Sequence, residues 1–238
     1  MGHHAPGAGG QGDELSASPP DARVPDADAL EAGRLLFAAE CRFLRGAVRG
    51  SELPPPEGAE IAFAGRSNAG KSSLVNALTG RSTLARVAKA PGRTQQLNFF
   101  ALGPDRAGRR LTLVDMPGYG FARVARATMR DWSAAARDYL KGRAGLRRVL
   151  VLVDARHGPK PADAAMFDLL DQSAVSYQLV LTKVDLLAPP LRDAARAAAA
   201  ESLARRPAAH PEIALTSALA GEGIAELRAA LASLAAIG

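Results

Sequence analysis

From residue 59 onward, short apolar runs alternate with amphipathic segments. The strand candidates are EIAFAG, QLNFFALG, RRLTLVD, RRVLVLVD, SYQLVLTK and PEIALTS. Near-continuous apolar runs of this kind suit strands covered on both faces. Helical periodicity falls between most of them, over 71–80, 126–141, 161–173, 190–205 and 223–236. Only QLNFFALG and RRLTLVD follow one another without a helix, through the turn GPDRAGRR, so they are expected to pair antiparallel. The pattern predicts an α/β fold: a mostly parallel six-stranded sheet with one antiparallel edge strand and helices on both faces.

The chain before residue 59 reads differently. Residues 1–27 are rich in Gly, Pro, Ala and Asp and nearly lack large apolar side chains. They cannot offset the entropy of ordering and are expected to be a disordered tail, with His3 and His4 incidental to it. In Asp28–Val48 the residues Phe37, Cys41, Leu44 and Val48 recur at helical spacing. That stripe predicts an amphipathic helix, with Cys41 a small core residue. The prolines of SELPPPEG end it. The expected organisation is therefore a tail over 1–27, a helix and Pro-rich linker over 28–56, and one main domain over 57–238.

Composition narrows the class. At 238 residues and 47% hydrophobic, the chain can bury one sizeable core. A lone cysteine excludes an internal disulfide, and no Cys/His group has zinc spacing. No apolar run is long enough to span a bilayer, and the N-terminus lacks the apolar core of a signal peptide. A monomeric cytoplasmic protein with no membrane association is expected. The net charge of +6 is unevenly distributed: residues 81–148 hold 15 Lys/Arg against 4 Asp/Glu, whereas residues 1–60 hold 5 against 10. So local an excess points to a polyanionic partner larger than a nucleotide.

The candidate chemistry starts at Gly65-Arg66-Ser67-Asn68-Ala69-Gly70-Lys71-Ser72, between a predicted strand and a predicted helix. Gly65 and Gly70 permit backbone geometry that a side chain would block. The loop amides can then wrap phosphates at a helix N-terminus, Lys71 can reach the β- and γ-phosphates, and the Ser72 hydroxyl can ligate Mg²⁺. Further stretches lie at successive strand ends. Asp115-Met116-Pro117-Gly118 offers a carboxylate to hold Mg²⁺ through water and a glycine amide to meet a γ-phosphate. Thr182-Lys183-Val184-Asp185 offers a carboxylate that can accept both the N1–H and the 2-amino group of guanine, with the lysine stem along the base. Adenine has an acceptor at N1 and no 2-amino donor, so Asp185 would reject it. Thr216-Ser217-Ala218 can present a backbone amide to guanine O6. Together these favour GTP over ATP, and they disfavour a P-loop ATPase or small-molecule kinase.

The motifs AFAGRSNAGKSSLVNALTG, APGRTQQLNFF, LVDMPGYGFA, LTKVD and TSALAGEGI resemble the EngB (YihA/YsxC) family of TrmE-Era-EngA-EngB-septin-like GTPases, from about residue 35 to the C-terminus. The resemblance implies a P-loop GTPase domain, GTP/GDP cycling, and a role in late assembly of the large ribosomal subunit, with a link to normal septation. It makes Gly92-Arg93-Thr94-Gln95-Gln96 the first switch, with Thr94 as the second Mg²⁺ hydroxyl, and it gives Lys71, Thr94 and Asn68 the catalytic roles. The basic 81–148 block then reads as a contact for rRNA in large-subunit precursors, with Arg143, Arg147 and Arg148 among its cations. The competing reading is a GTP-dependent switch on protein partners in cell division.

Where Ras-like proteins carry a water-orienting glutamine after Asp-x-x-Gly, this chain has Tyr119. Asn68 admits two readings: a ligand for K⁺, as in related GTPases, or a turn asparagine tolerant of left-handed geometry. Arg123, Arg126 and Arg130 either stabilise transition-state charge or form a basic helix face. Trp132, Tyr139 and Leu140 read as core, not as a base-stacking platform.

The guanine reading predicts that Asp185→Asn lowers GTP affinity about 10-fold or more, because two hydrogen bonds to a charged acceptor are disrupted. The same substitution should improve binding of xanthosine nucleotides, whose 2-oxo group suits an amide donor. Calorimetry with the four ligand and protein pairs checks this, and wild-type protein binding ATP as tightly as GTP would overturn it.

Overall fold

The computed structural model describes residues 1, 24–81, 96–104, 111–120 and 134–236. Of the predicted tail, all but Met1 and residues 24–27 lies outside them. The elements are α1 (Ala27–Ala38), β1 (Cys41–Ala47), β2 (Ala59–Gly65), α2 (Lys71–Thr79), β3 (Leu97–Leu102), β4 (Leu111–Asp115), α3 (Ala134–Leu140), β5 (Leu146–Asp154), α4 (Pro161–Gln172), β6 (Tyr177–Thr182), α5 (Pro189–Leu203), β7 (Ala214–Thr216) and α6 (Ile224–Ala236). The strands form one seven-stranded sheet in the order β1-β3-β4-β2-β5-β6-β7. β4, β2, β5, β6 and β7 run parallel, and β3 is antiparallel to both of its neighbours.

Each strand divides its side chains between two cores. Ile61 and Phe63 of β2 pack with Leu36 and Phe37 of α1, Leu74 and Leu78 of α2, and Leu227 and Leu231 of α6. Ala62 and Ala64 face Tyr139 of α3, Met166, Phe167 and Leu170 of α4, and Ala199 of α5. Helices therefore cover both faces, as the apolar runs predict. Asp26 caps α1 by accepting the Ala29 amide at 2.8 Å. No helix among the described residues is long and apolar enough to cross a membrane.

Two expectations need correction. The helix predicted over Asp28–Val48 stops at Ala38, and Cys41–Ala47 becomes a seventh, edge strand where six strands were expected. The antiparallel strand, β3, accordingly lies one place in from the edge. Cross-strand burial overrides the helical spacing: Cys41 and Phe43 register against Leu102 and Phe100, and the Phe43 and Phe100 rings meet edge-on at 5.6 Å. The segment read as helix and linker is thus continuous with the main sheet. Cys41 is buried, as expected, and burial pushes its thiol up to about 11.

Arg143 also departs from its expected place on an RNA-binding surface. Its guanidinium is buried, pairing with the buried Glu60 carboxylate at 2.6 Å and donating to the Pro54 carbonyl at 2.7 Å. It lies 5.8 Å from the ring centres of both Phe99 and Tyr139. Arg148 is half-buried and donates to Gln178 at 3.1 Å, and Arg147 is half-buried too. Tyr139 and Leu140 are core residues, as predicted, whereas Trp132 lies outside the described residues.

Removing one partner of a buried pair strands the other charge. Arg143→Ala should therefore destabilise the fold by about 3–5 kcal/mol in urea unfolding. A loss below about 1 kcal/mol would mean that Glu60 is satisfied without Arg143.

Candidate functional site

The site lies beyond the carboxyl ends of β2, β4, β5, β6 and β7, where ligands of parallel sheets are held. β2 ends at Gly65, and the chain turns through residues 66–70 into α2. Asn68 adopts φ +66° and Gly70 φ +89°, so the second position favours glycine outright. A Cβ on Gly65 would lie 3.1 Å from the Leu152 carbonyl of β5, so closeness to the neighbouring strand selects glycine there.

Two side chains from the end of β6 fix this loop. The buried Thr182 hydroxyl donates to the Ala69 carbonyl at 2.7 Å. Lys183 donates to the Asn68 carbonyl at 2.7 Å and pairs with Asp154 at 2.9 Å. Asp154 ends β5 and also receives Arg156 at 2.7 Å. The Arg156 hydrogen bonds first, and Lys183 after them, hold the Asp154 carboxyl well below the usual carboxylate range. Asp154 and Arg156 were not singled out in the sequence. Their signal is an acid at the carboxyl end of an apolar run, VLVLVDAR, like the acid of VDMPG.

On the opposite side of the loop, Lys71 forms an ion pair with Asp115, the last residue of β4. Ser72 is half-buried in the same first turn of α2. Asp115 is brought there by the parallel pairing that sets it opposite Phe63, and the Met116 amide continues the ladder to the Phe63 carbonyl at 3.0 Å. Met116 and Pro117 are buried, while Gly118 is exposed over the Ser67 hydroxyl, which a Cβ would approach to 3.3 Å. The next residue turns inward: Tyr119 is buried and its hydroxyl donates to Asp163 at 2.9 Å.

A cavity of about 250 Å³ lies on the other flank of α2, lined by Gly70, Leu74, Lys183, Asp185, Thr216 and Ala218. Val184 is buried, and the half-exposed Asp185 sits with it in a short 3-10 turn. Ser217 is consumed locally, its amide donating to the Glu222 carbonyl at 2.9 Å and its hydroxyl accepting the Ala220 amide at 3.0 Å. Thr216 donates to the Leu181 carbonyl at 3.2 Å. Ala218 and Leu219 of that loop line the cavity with Asp185. The structure thus gathers residues 65–72, 115–118, 182–185 and 216–218 at one end of the sheet. Gln96 is buried, donating to Asn98 at 2.6 Å. Gly92, Arg93, Thr94 and Gln95 lie outside the described residues, as do Arg123, Arg126 and Arg130.

A loop for phosphates, an acid for a magnesium water and an acid for a guanine edge are the parts of a G domain. The family model described as "50S ribosome-binding GTPase" matches residues 60–183. The chain is 57% identical over 217 residues to a probable GTP-binding protein EngB of Granulibacter bethesdensis, covering 90% of this chain and 94% of that protein. It is 52% identical over 210 residues to the EngB relative of Rhodospirillum rubrum, covering 88% and 90%. Among solved structures, a probable GTP-binding protein engB superposes with a TM-score of 0.56 at 22% identity, over 75% of this chain and 99% of that one. A bacterial selenocysteine-specific elongation factor, EF-Sec, superposes with 0.57 at 22% identity, over 75% and 28%. The structural likenesses speak to fold, and the sequence relatives speak to family. On the family model and the sequence relatives, the chain belongs to the EngB family of GTP-binding proteins and is a GTPase.

Proposed function

We propose that this protein is a Mg²⁺-dependent GTP/GDP switch that binds the large ribosomal subunit or its precursors in the cytoplasm, mainly through rRNA phosphates. The observation that carries this reading is the placement of 15 Lys/Arg against 4 Asp/Glu in residues 81–148, the block that follows the phosphate loop and holds both switch motifs. The description of the matching family, a 50S ribosome-binding GTPase, supports the same partner.

Ser72, Thr94 and Asp115 supply hydroxyl and carboxylate oxygens, a donor set suited to a hard cation that keeps several waters. Mg²⁺ held by these residues would supply neutralisation of phosphate charge. Lys71, paired with Asp115 in this structure, must release that carboxylate to reach the phosphates. Asp185 reads the guanine edge, and the Ala218 amide reads O6. The Gly118 amide meets the γ-phosphate and so distinguishes GTP from GDP.

Hydrolysis without a partner should be slow, on the order of 10⁻⁴ to 10⁻² per second, because the residue after Gly118 is a buried tyrosine committed to Asp163 where Ras-like proteins carry a glutamine. Asn68 occupies a left-handed position, which supports its reading as a turn residue. Its second reading, as a K⁺ ligand, makes stimulation by K⁺ depend on its side chain. Asn68→Gly keeps the backbone conformation and removes that side chain, so turnover in K⁺ and Na⁺ for both proteins is the check. A K⁺ stimulation that survives in Asn68→Gly removes the proposal.

Particle binding should be tighter with a non-hydrolysable GTP analogue than with GDP. It should also weaken about 10³-fold or more between 50 and 200 mM salt if six or more phosphates are contacted. Co-sedimentation with large-subunit particles reads both effects. Binding that ignores nucleotide and salt alike would favour a protein partner.

A further inference from the structure

The residue after Gly118 is built into the fold in a way that neither the motif nor the family comparison specifies. Tyr119 is 2% exposed and Asp163 1% exposed, and they lie on different elements, 44 positions apart. The tyrosine hydroxyl donates to Asp163 Oδ1 at 2.9 Å, while Asp163 Oδ2 accepts the Lys160 amide at 2.8 Å. Asp163 is therefore held in the first turn of α4, itself started by Pro161, and it offers Tyr119 a fixed acceptor.

The backbone of Tyr119 is tied in the other direction. Its amide donates to the Gly65 carbonyl and its carbonyl accepts the Ser67 amide, each at 3.3 Å. These bonds are long, so the backbone bridge to the phosphate loop is weak by itself. The short, buried side-chain bond to α4 is the firmer anchor. Gly118 lies directly between this anchored residue and the buried Pro117. Arg66 of the phosphate loop lines a cavity of about 220 Å³ together with Asp163, and its guanidinium stem lies 3.5 Å from where a Cβ on Gly120 would sit.

We propose that Asp163 is a positioning residue for the GTPase reaction: through the Tyr119 hydroxyl it fixes the Gly118 amide relative to the phosphate loop, where a γ-phosphate is met. At the position where Ras-like proteins carry a water-orienting glutamine, this chain thus carries an internal anchor. Burial first, and the Asp163 charge second, drive the Tyr119 phenol well above its ordinary range, so it stays a hydrogen-bond donor at all physiological pH values. The inference rests on the γ-phosphate role proposed for Gly118. GDP has no γ-phosphate, so its binding does not depend on the anchor.

Tyr119→Phe removes the hydroxyl and keeps the ring in the core, which makes it the milder test, and Asp163→Asn removes one of the two acceptor oxygens. Each should weaken binding of a non-hydrolysable GTP analogue about 3- to 10-fold, as expected for one buried hydrogen bond, with GDP affinity changed less than about 2-fold. Single-turnover hydrolysis should fall with the analogue affinity, and the double substitution should add little to either single one. Equal loss for both nucleotides, or no loss for either in Tyr119→Phe, would overturn the proposal and leave the pair as core packing alone. Gly118→Pro removes the amide, and a Gly118→Pro protein that binds the analogue as tightly as wild type would instead locate the failure in the Gly118 assignment.

Discussion

The phosphate loop depends on having its own carbonyls tied down from behind. Asn68 and Ala69 turn their carbonyls toward Lys183 and Thr182, each at 2.7 Å, and this holds a backbone that passes through two left-handed positions. Both tethers come from the end of β6, two strands away from the loop's own strand. Their reach is set by the parallel registers of β2 on β5 and β5 on β6, which place Gly65 opposite Leu152 and Asp154 opposite Thr182. A slip in either ladder would move Thr182 and Lys183 off the loop. The extensively apolar strands thus do more than form a core: their register sets the geometry of the anion site.

The same tethers join the residue 66–70 loop to the cavity lined by Asp185. Lys183 sits at φ +60°, so its side chain leaves the strand end toward the loop while Asp185, two residues on, lines the cavity beside it. Asp154 and Arg156 complete a small ionic group around the lysine ammonium. An ammonium so engaged has few orientations left, and in the proposed function its stem would form a pre-ordered wall for a flat base.

How much of this was legible in the sequence follows from how local each feature is. Strands covered on both faces announce themselves as apolar runs, and loops that bind phosphate need contiguous residues, so both were readable. β1 was not. Its ladder shifts between Phe43 and Arg45, a bulge that breaks the two-residue alternation, while Phe37, Cys41, Leu44 and Val48 fall at spacings that imitate a helix. The anchor of Tyr119 on Asp163 was also hidden, since a tyrosine after Asp-x-x-Gly and an acid in a helix's first turn each have an ordinary local explanation. Only the fold brings them together.

Charge behaves in the same way, because a count does not say where a cation points. Of the described cations in the 81–148 block, Arg143 is enclosed with Glu60, Arg81 donates to the Ala39 and Cys41 carbonyls, and Arg148 is held by Gln178. These arginines stabilise the fold and contribute little to a polyanion-binding surface. Nine further cations, Arg86, Lys89, Arg93, Arg106, Arg109, Arg110, Arg123, Arg126 and Arg130, fall in residues 82–95, 105–110 and 121–133. Six of the nine belong to the stretches that lead into β3 and follow Gly118. In the proposed function those stretches carry the switches, so much of the block's charge lies in sequence beside the motifs that respond to nucleotide, with the exposed Lys141 outside them.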